Sequence, residues 1–255
     1  MRLTIIGCSG SYPGPDSPAS CYLVEADVHD GDEVRTWRIL LDLGNGSLGV
    51  LQQHVDALEV DAVLFSHLHP DHCSDLCGFY VLRKYHPSGQ QPRIPVYGPT
   101  GVAARMRDAY GLPDGDGMSD VFAFTEYAGP FTVGPFSIVP IPVEHPVEAY
   151  GLRITAGRST LGYSGDTAAC DGVDKVAADV RLFLCEASFR DVDDNPPGIH
   201  LTGVEAGATA ARARSGRLVV THVPPWFDRD AILAEARTSF SGPVELAVSG
   251  ATYEL

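Results

Sequence analysis

No stretch of the 255 residues approaches about eighteen consecutive apolar positions, so a transmembrane helix is not expected. Basic residues are scarce: 18 Lys and Arg face 33 Asp and Glu, giving a formal charge of −15. A binder of duplexes or long polynucleotides needs a basic face that releases counterions, so that class is not expected either. A small anion held by metal ions stays open, because the ions' own charges dominate their surroundings. Zinc-ribbon C-x-x-C pairs are missing, and the six cysteines (Cys8, Cys21, Cys73, Cys77, Cys170, Cys185) are scattered, mostly among apolar neighbours. A chain this long needs no disulfide staples, so the thiols are read as reduced and the protein as cytoplasmic. Internal repeats, low-complexity tracts and linkers are absent too, which points to one domain over residues 1–255. The opening MRLTIIGCSGSYPGP has one basic residue and a short apolar run, the pattern of a first strand and turn rather than a signal peptide.

What is present is a folded chain's composition, 44% hydrophobic and 20% charged. Short apolar runs read as strands at Leu3–Gly7, Cys21–Ala26 and Thr36–Asp42, with Asp30-Gly31 in HDGDE as a hairpin signal. A helix is expected over Ser47–Leu58, then strands at Asp61–Ser66 and Ile94–Tyr97. The next helix has Thr100 as its N-cap and Gly111 just past its end. Strands are expected at Val121–Glu126, Phe131–Val133, Phe136–Pro142, Tyr150–Thr155, Thr160–Ser164, Val180–Cys185 and Leu218–Thr221. Helices are expected over Gly203–Arg214, where Thr202 and Glu205 have capping-box spacing, and from about Asp230 to Phe240. Leu112–Asp120 is an acidic surface loop that misses the EF-hand spacing at Met118. Strands and helices mixed in both halves suggest two sheets with helices packed outside.

Three of the nine histidines fall in SHLHPDHCSD, where His67, His69, Asp71 and His72 follow a strand and sit on a loop. A histidine pair at i, i+2 can place two imidazoles on one metal, and the Asp71-His72 pair then points at a second. Three further candidates each follow a strand-like run: His145 in VEHPVE, Asp166 in GYSGDT and His222 in VVTHVPP. Loops at strand ends are where a site gathers residues distant in sequence. His67, His69 and His145 then serve one divalent ion, Asp71, His72 and His222 a second, and Asp166 bridges. Two cations roughly 3.5–4 Å apart need an anionic bridge, which a carboxylate plus a hydroxide supplies. His29, His54 and His86 stand in polar or Pro-rich contexts and are expected on the surface. Cys73 and Cys77, one helical turn apart, read as small buried apolar residues.

HLHPDH, His145, the GYSGDT aspartate and the final THV histidine resemble the metallo-β-lactamase superfamily, in order and spacing across nearly the whole chain. The resemblance implies an α/β fold: an αββα sandwich, two mixed β-sheets flanked by helices, with a dinuclear site at one edge. It also implies two divalent metal ions, zinc most often, with manganese or iron as alternatives.

Other segments are similar to the ribonuclease Z branch: the glycine-rich IIGCSGSYPGPDSPASCYLVE, LLDLGNGSLGVLQQ, LCEASF (Leu184–Phe189) and HLTGVEAGATAA (His200–Ala211). Departures are Asn45 where an acidic residue is common, Cys185 in place of a histidine and Ser188 in place of a threonine. In a phosphodiesterase a metal-bridging hydroxide is the nucleophile and Asp71 its orienting base. His200 donates to the leaving oxygen or the phosphate, and Glu186 holds the other ring nitrogen. The plainer alternatives are a surface carboxylate at Glu186 and a polar helix start at His200. The branch's ribonucleases insert a long basic arm between the third metal histidine and the bridging aspartate. Here His145 and Asp166 stand only 21 positions apart. The resemblance is therefore to the small armless phosphodiesterases, including those acting on cyclic nucleotides. A small anionic substrate is expected, without tRNA or membrane partners, and a homodimer is possible by family resemblance. Trp226 and Phe227, beside the last ligand, either stack on a base or pack in the core. A lactone or ester hydrolase is the second reading, a tRNA 3′-processing nuclease the third, and a metal carrier without turnover the fourth.

Overall fold

In the computed structural model, which describes residues 1–31 and 33–255, apolar runs bounded by Gly, Pro and Asp pair into two seven-stranded sheets. The first half supplies β1 (Arg2–Gly7), β2 (Cys21–Asp30), β3 (Glu33–Leu41), α1 (Ser47–Leu51), β4 (Ala62–Leu64), α2 (Pro70–Cys73), α3 (Leu76–Lys84), β5 (Ile94–Gly98), α4 (Val102–Tyr110) and β6 (Phe122–Glu126). The second supplies β7 (Phe131–Val133), β8 (Phe136–Pro142), β9 (Tyr150–Ala156), β10 (Ser159–Tyr163), α5 (Asp171–Ala177), β11 (Leu182–Glu186), α6 (Gly203–Arg212), β12 (Leu218–Thr221), α7 (Arg229–Ser239), β13 (Val244–Leu246) and β14 (Thr252–Glu254).

The sheet orders are β14-β1-β2-β3-β4-β5-β6 and β13-β12-β11-β10-β9-β8-β7. Both are mixed. Strands β1 to β3 pair antiparallel and β3 to β6 parallel. In the second sheet β7 to β10 pair antiparallel and β10 to β13 parallel. Inward residues of both sheets, among them Leu3, Tyr22, Val24, Phe136, Leu152 and Ile154, share one buried cluster. Phe79 and Met106 on α3 and α4 pack on the outer face of the first sheet, Ala206 and Ile232 on α6 and α7 on that of the second. Burying one such large side chain is worth about 1.5–3 kcal/mol, so three clusters offset the cost of a polar edge.

Several expectations shift. The helix expected over Ser47–Leu58 stops at Leu51, and Ala57–Glu59 forms a separate 3₁₀ turn. There Asp56 accepts the Leu58 N–H at 2.9 Å, a local bond that competes with continued helix. Thr100 does not cap α4. Gly101 takes that place with φ +80°, while the Thr100 hydroxyl donates to Glu148. Gly111 closes α4 as expected, and the Thr202–Glu205 capping box is present in full. The β2–β3 hairpin pairs through Asp30 and Glu33, with Gly31 at φ +61° and Asp32 outside the described residues. Helices α2, α3 and α5 and strands β13 and β14 are additions, mostly too short to leave a periodic signal. Cys73 is buried but Cys77 only half-buried, and the two stand on separate helices, since α2 ends at Cys73 and α3 begins at Leu76. His29 and His54 are exposed, whereas His86 is half-buried.

Candidate metal centre

The site is built where strands end. His67 and His69 follow β4, His145 follows β8, Asp166 follows β10, and His222 follows β12 with φ +55°. Asp71 and His72 are not on a loop, as expected from the sequence, but in α2. Pro70 opens that turn at its first position, where a missing N–H costs nothing. Gly44 packs directly under it: a Cβ there would lie 1.9 Å from the Asp71 carbonyl oxygen, so only glycine lets the two segments meet.

All seven residues converge in two sets. His67 Nε2 lies 3.0 Å from His69 Nδ1, which is 3.3 Å from His145 Nε2. In the second set His72 Nε2 is 3.1 Å from His222 Nε2, and Asp71 Oδ2 is 3.4 and 3.2 Å from those two nitrogens. Asp166 Oδ1 completes it at 3.2 Å from His72 Nε2 and 3.5 Å from His222 Nε2. The other oxygen, Oδ2, turns toward the first set, 3.7 Å from His67 Nε2.

The hydrogen bonds around the site decide which ring nitrogens are bare. Ser66 donates its N–H and hydroxyl to Asp42, so its oxygen can only accept from His67 Nδ1, 3.1 Å away. His72 Nδ1 donates to Asp42 Oδ2 at 2.7 Å and His145 Nδ1 to the Ile199 carbonyl at 2.9 Å. Ser188 donates to the His222 carbonyl oxygen and so accepts from His222 Nδ1, both at 2.7 Å. Each bond leaves Nε2 with a lone pair directed inward, the arrangement that fixes a metal-binding imidazole. Bare nitrogens facing one another about 3 Å apart repel unless a cation lies between them. Zinc bonds of ~2.0–2.1 Å in a tetrahedron put ligand atoms ~3.3 Å apart, and these separations match that edge length. Asp166 Oδ1, buried and without a hydrogen bond, is the acceptor such a cation would satisfy.

Electrostatics point the same way. Burial opposes charge on His72, yet Asp166, Asp42 and Asp71 outweigh it and hold its pKa well above the ordinary value. Burial also opposes the charge of Asp71 and Asp166, and the surrounding imidazoles outweigh it, holding both carboxyls below the usual range. His67, His69 and His145 shift down, chiefly through burial, with repulsion from neighbouring imidazoles adding to it, which keeps them neutral and ligand-ready. This pocket is arranged to attract positive charge.

Glu186 is no surface carboxylate. It is fully buried at the end of β11, accepts the backbone N–H groups of Thr167 and Ser188, and accepts a hydrogen bond from His200 Nδ1 at 2.8 Å. Burial disfavours charge on His200, but Glu186 outweighs it and raises the pKa to about 9. The His200 ring stands beside those of His145 and His222, centroids 5.5 and 5.6 Å away. Cys185 lies instead in the apolar cluster beneath α6. Sequence reasoning missed Asp42, which accepts from Ser66, His72 and, at 2.5 Å, the Tyr163 hydroxyl. Its only signal is a lone carboxylate ending an apolar strand in LLDLG.

Fold and site together define a metal-dependent hydrolase: residues 37–223 match the beta-lactamase superfamily domain, and the chain belongs to that family, in its ribonuclease Z-like branch. It is 44% identical to protein Rv1339 of Mycobacterium tuberculosis, over 100% of this chain and 92% of that one. It is 30% identical to the probable metallo-hydrolase YhfI of Bacillus subtilis over the full length of both. The crystal structure of YhfI superposes with a TM-score of 0.85, at 29% identity and covering 100% and 99% of the two chains. Ribonuclease Z of Myxococcus xanthus is 28% identical, over 100% of this chain and 98% of its own.

Proposed function

We propose that this hydrolase is a dinuclear phosphodiesterase acting on a small substrate, a cyclic nucleotide or a diester of similar size. The observation that carries the reading is the buried Glu186–His200 pair at the rim of the ligand set. A diester's alkoxide is a poor leaving group and departs with a proton, which a positioned imidazolium can supply. Glu186 keeps His200 protonated at neutral pH and fixes its ring, so the imidazolium can donate to the departing oxygen or a phosphoryl oxygen. When bound, two divalent ions, zinc by the fit of the donor set, would activate water and offset phosphate charge. His67, His69 and His145 would hold one, Asp71, His72 and His222 the other, with Asp166 between them. Asp71, at the edge of the second set, also orients the attacking water.

Substrate size is read from two features. Between His145 and Asp166 the chain forms β9 and β10, paired as a hairpin at Ala156 and Ser159, which leaves no basic arm to grip a polynucleotide. A cavity of about 570 Å³ beside His200 is lined by Glu144, Asp191, Asp193, Asp194 and Glu205. One phosphodiester charge would be met by bound cations, while a polyanion would meet that acidic rim with every further phosphate. The ribonuclease Z relatives support phosphodiester chemistry, and six unpaired thiols support a reducing, cytoplasmic setting. The test is a parallel assay of 3′,5′- and 2′,3′-cyclic nucleotides, a simple lactone and precursor tRNA, with added Zn²⁺ or Mn²⁺. Cyclic nucleotide turnover is expected. Lactone turnover well above it, or efficient tRNA cleavage, would overturn the reading.

A further inference from the structure

Two exposed aromatic rings lie on the segments that adjoin His222, Tyr12 next to Ser11, whose N–H reaches that imidazole, and Trp226 four residues after it. Trp226 is 60% and Tyr12 41% exposed, and their centroids lie 5.2 Å apart at a tilt of 36°. The pair Trp226-Phe227, ambiguous in sequence, is split by the fold. Phe227 joins the apolar cluster under α7, whereas Trp226 faces water. Tyr12 is placed by a tight turn: Gly10 and Ser9 hold it through the Tyr12 N–H to Gly10 oxygen bond and the Ser9 hydroxyl to Tyr12 oxygen bond, both 2.7 Å. That turn presses on the metal ligand itself. A Cβ at Gly10 would lie 2.3 Å from the His222 carbonyl oxygen, and the Ser11 N–H comes within 3.4 Å of His222 Nε2. Ser11 takes φ +64°, a strained conformation for a residue with a side chain, of the kind that recurs at binding sites. Trp226 follows His222 by four residues and is held by the Phe227 N–H to Pro224 oxygen bond at 3.0 Å.

We propose that Trp226, backed by Tyr12, is the platform on which a planar ring of the substrate, a nucleobase, stacks while its phosphodiester lies at the ligand set. The inference rests on the phosphodiesterase reading and names the recognised part of the substrate. The two rings leave no gap for a third between them, so the base lies on the outer face of Trp226. A neutral base is not repelled by the acidic surface, and stacking is tolerant of base identity because every base has a π-face. The larger purines are expected to bind more tightly than pyrimidines.

The test compares kcat/KM for 3′,5′-cyclic AMP with kcat/KM for the cyclic phosphate of propane-1,3-diol, which has the ring diester and no base. In Trp226→Ala the ratio of the two is expected to fall about 10-fold or more, and Trp226→Phe to restore most of it. An unchanged ratio would overturn the platform. A second measurement needs no turnover. With Trp37, the other tryptophan, replaced by Phe, adenosine should quench Trp226 emission saturably. Failure to hydrolyse either diester alongside saturable quenching would uphold the platform and sink the phosphodiesterase reading; absent quenching would sink the platform.

Discussion

Asp42 holds His72: its Oδ2 accepts the ring's Nδ1 proton at 2.7 Å, with both side chains wholly buried. Asp42 adopts φ +59°, which asparagine also tolerates, so Asp42→Asn keeps the backbone while removing the charge. Zinc affinity is expected to drop about 10–100-fold, the usual scale for losing a partner behind a metal-binding imidazole. Competition with a chromogenic chelator measures it, and an unchanged affinity would show that His72 needs no such support.

Carefully purified protein should hold about two transition-metal ions per chain by elemental analysis. Asp166→Ala removes the only carboxylate among the described residues that faces both sets, so occupancy should fall and turnover should drop by at least about 10²-fold, more than for a supporting residue. Full activity in that variant, or in metal-stripped protein, would refute the dinuclear site.

His200→Ala should leave metal content nearly intact and lower kcat by roughly 10²–10⁴-fold on alkyl leaving groups. On p-nitrophenyl esters, which depart without a proton, the loss should shrink. Equal losses on both would assign His200 to phosphate binding, and no loss would leave it a polar residue at the start of α6.

In the proposed mechanism the acid form of His200 is the working form, so activity should fall as pH rises through its pKa. Glu186 raises that pKa to about 9 in the metal-free chain, and bound cations would lower it. The alkaline limb of kcat on an alkyl diester is therefore expected below about 9. In Glu186→Gln it should move toward acid, with a smaller loss of kcat than in His200→Ala. Identical limbs in wild type and Glu186→Gln would remove Glu186 from the role.

Thr202→Ala deletes the cap of α6, whose hydroxyl accepts the Glu205 N–H at 3.2 Å. A stability loss of about 1 kcal/mol is expected in urea unfolding at constant metal loading. A change within error would mean that water replaces the cap.

The candidate metal ligands were legible because the chemistry constrains residue type: His67, His69, Asp71 and His72 lie within six positions, and His145, Asp166 and His222 each end an apolar run. Strand cores were legible for the same kind of reason, since burial on a pleat imposes alternation and turns demand Gly, Pro or Asp. Long-range partners leave no such trace. Asp42 reaches His72 across 30 residues and Tyr163 across 121, and Ser188 reaches His222 across 34. Thr100 matched the preference for a helix cap and lost the place to Gly101, because Glu148 from a distant loop drew its hydroxyl away. The glycine-rich opening likewise gave no sign that its turn would bring Ser11 to His222 and Tyr12 to Trp226. The sequence by itself determined which side chains could bind metal and which segments could be strands. Only the tertiary structure decided which ring nitrogen each histidine presents, that Glu186 is buried behind His200, and that Trp226 faces water while Phe227 does not. Those outcomes depend on hydrogen-bond partners and packing surfaces that are neighbours in space and strangers in sequence.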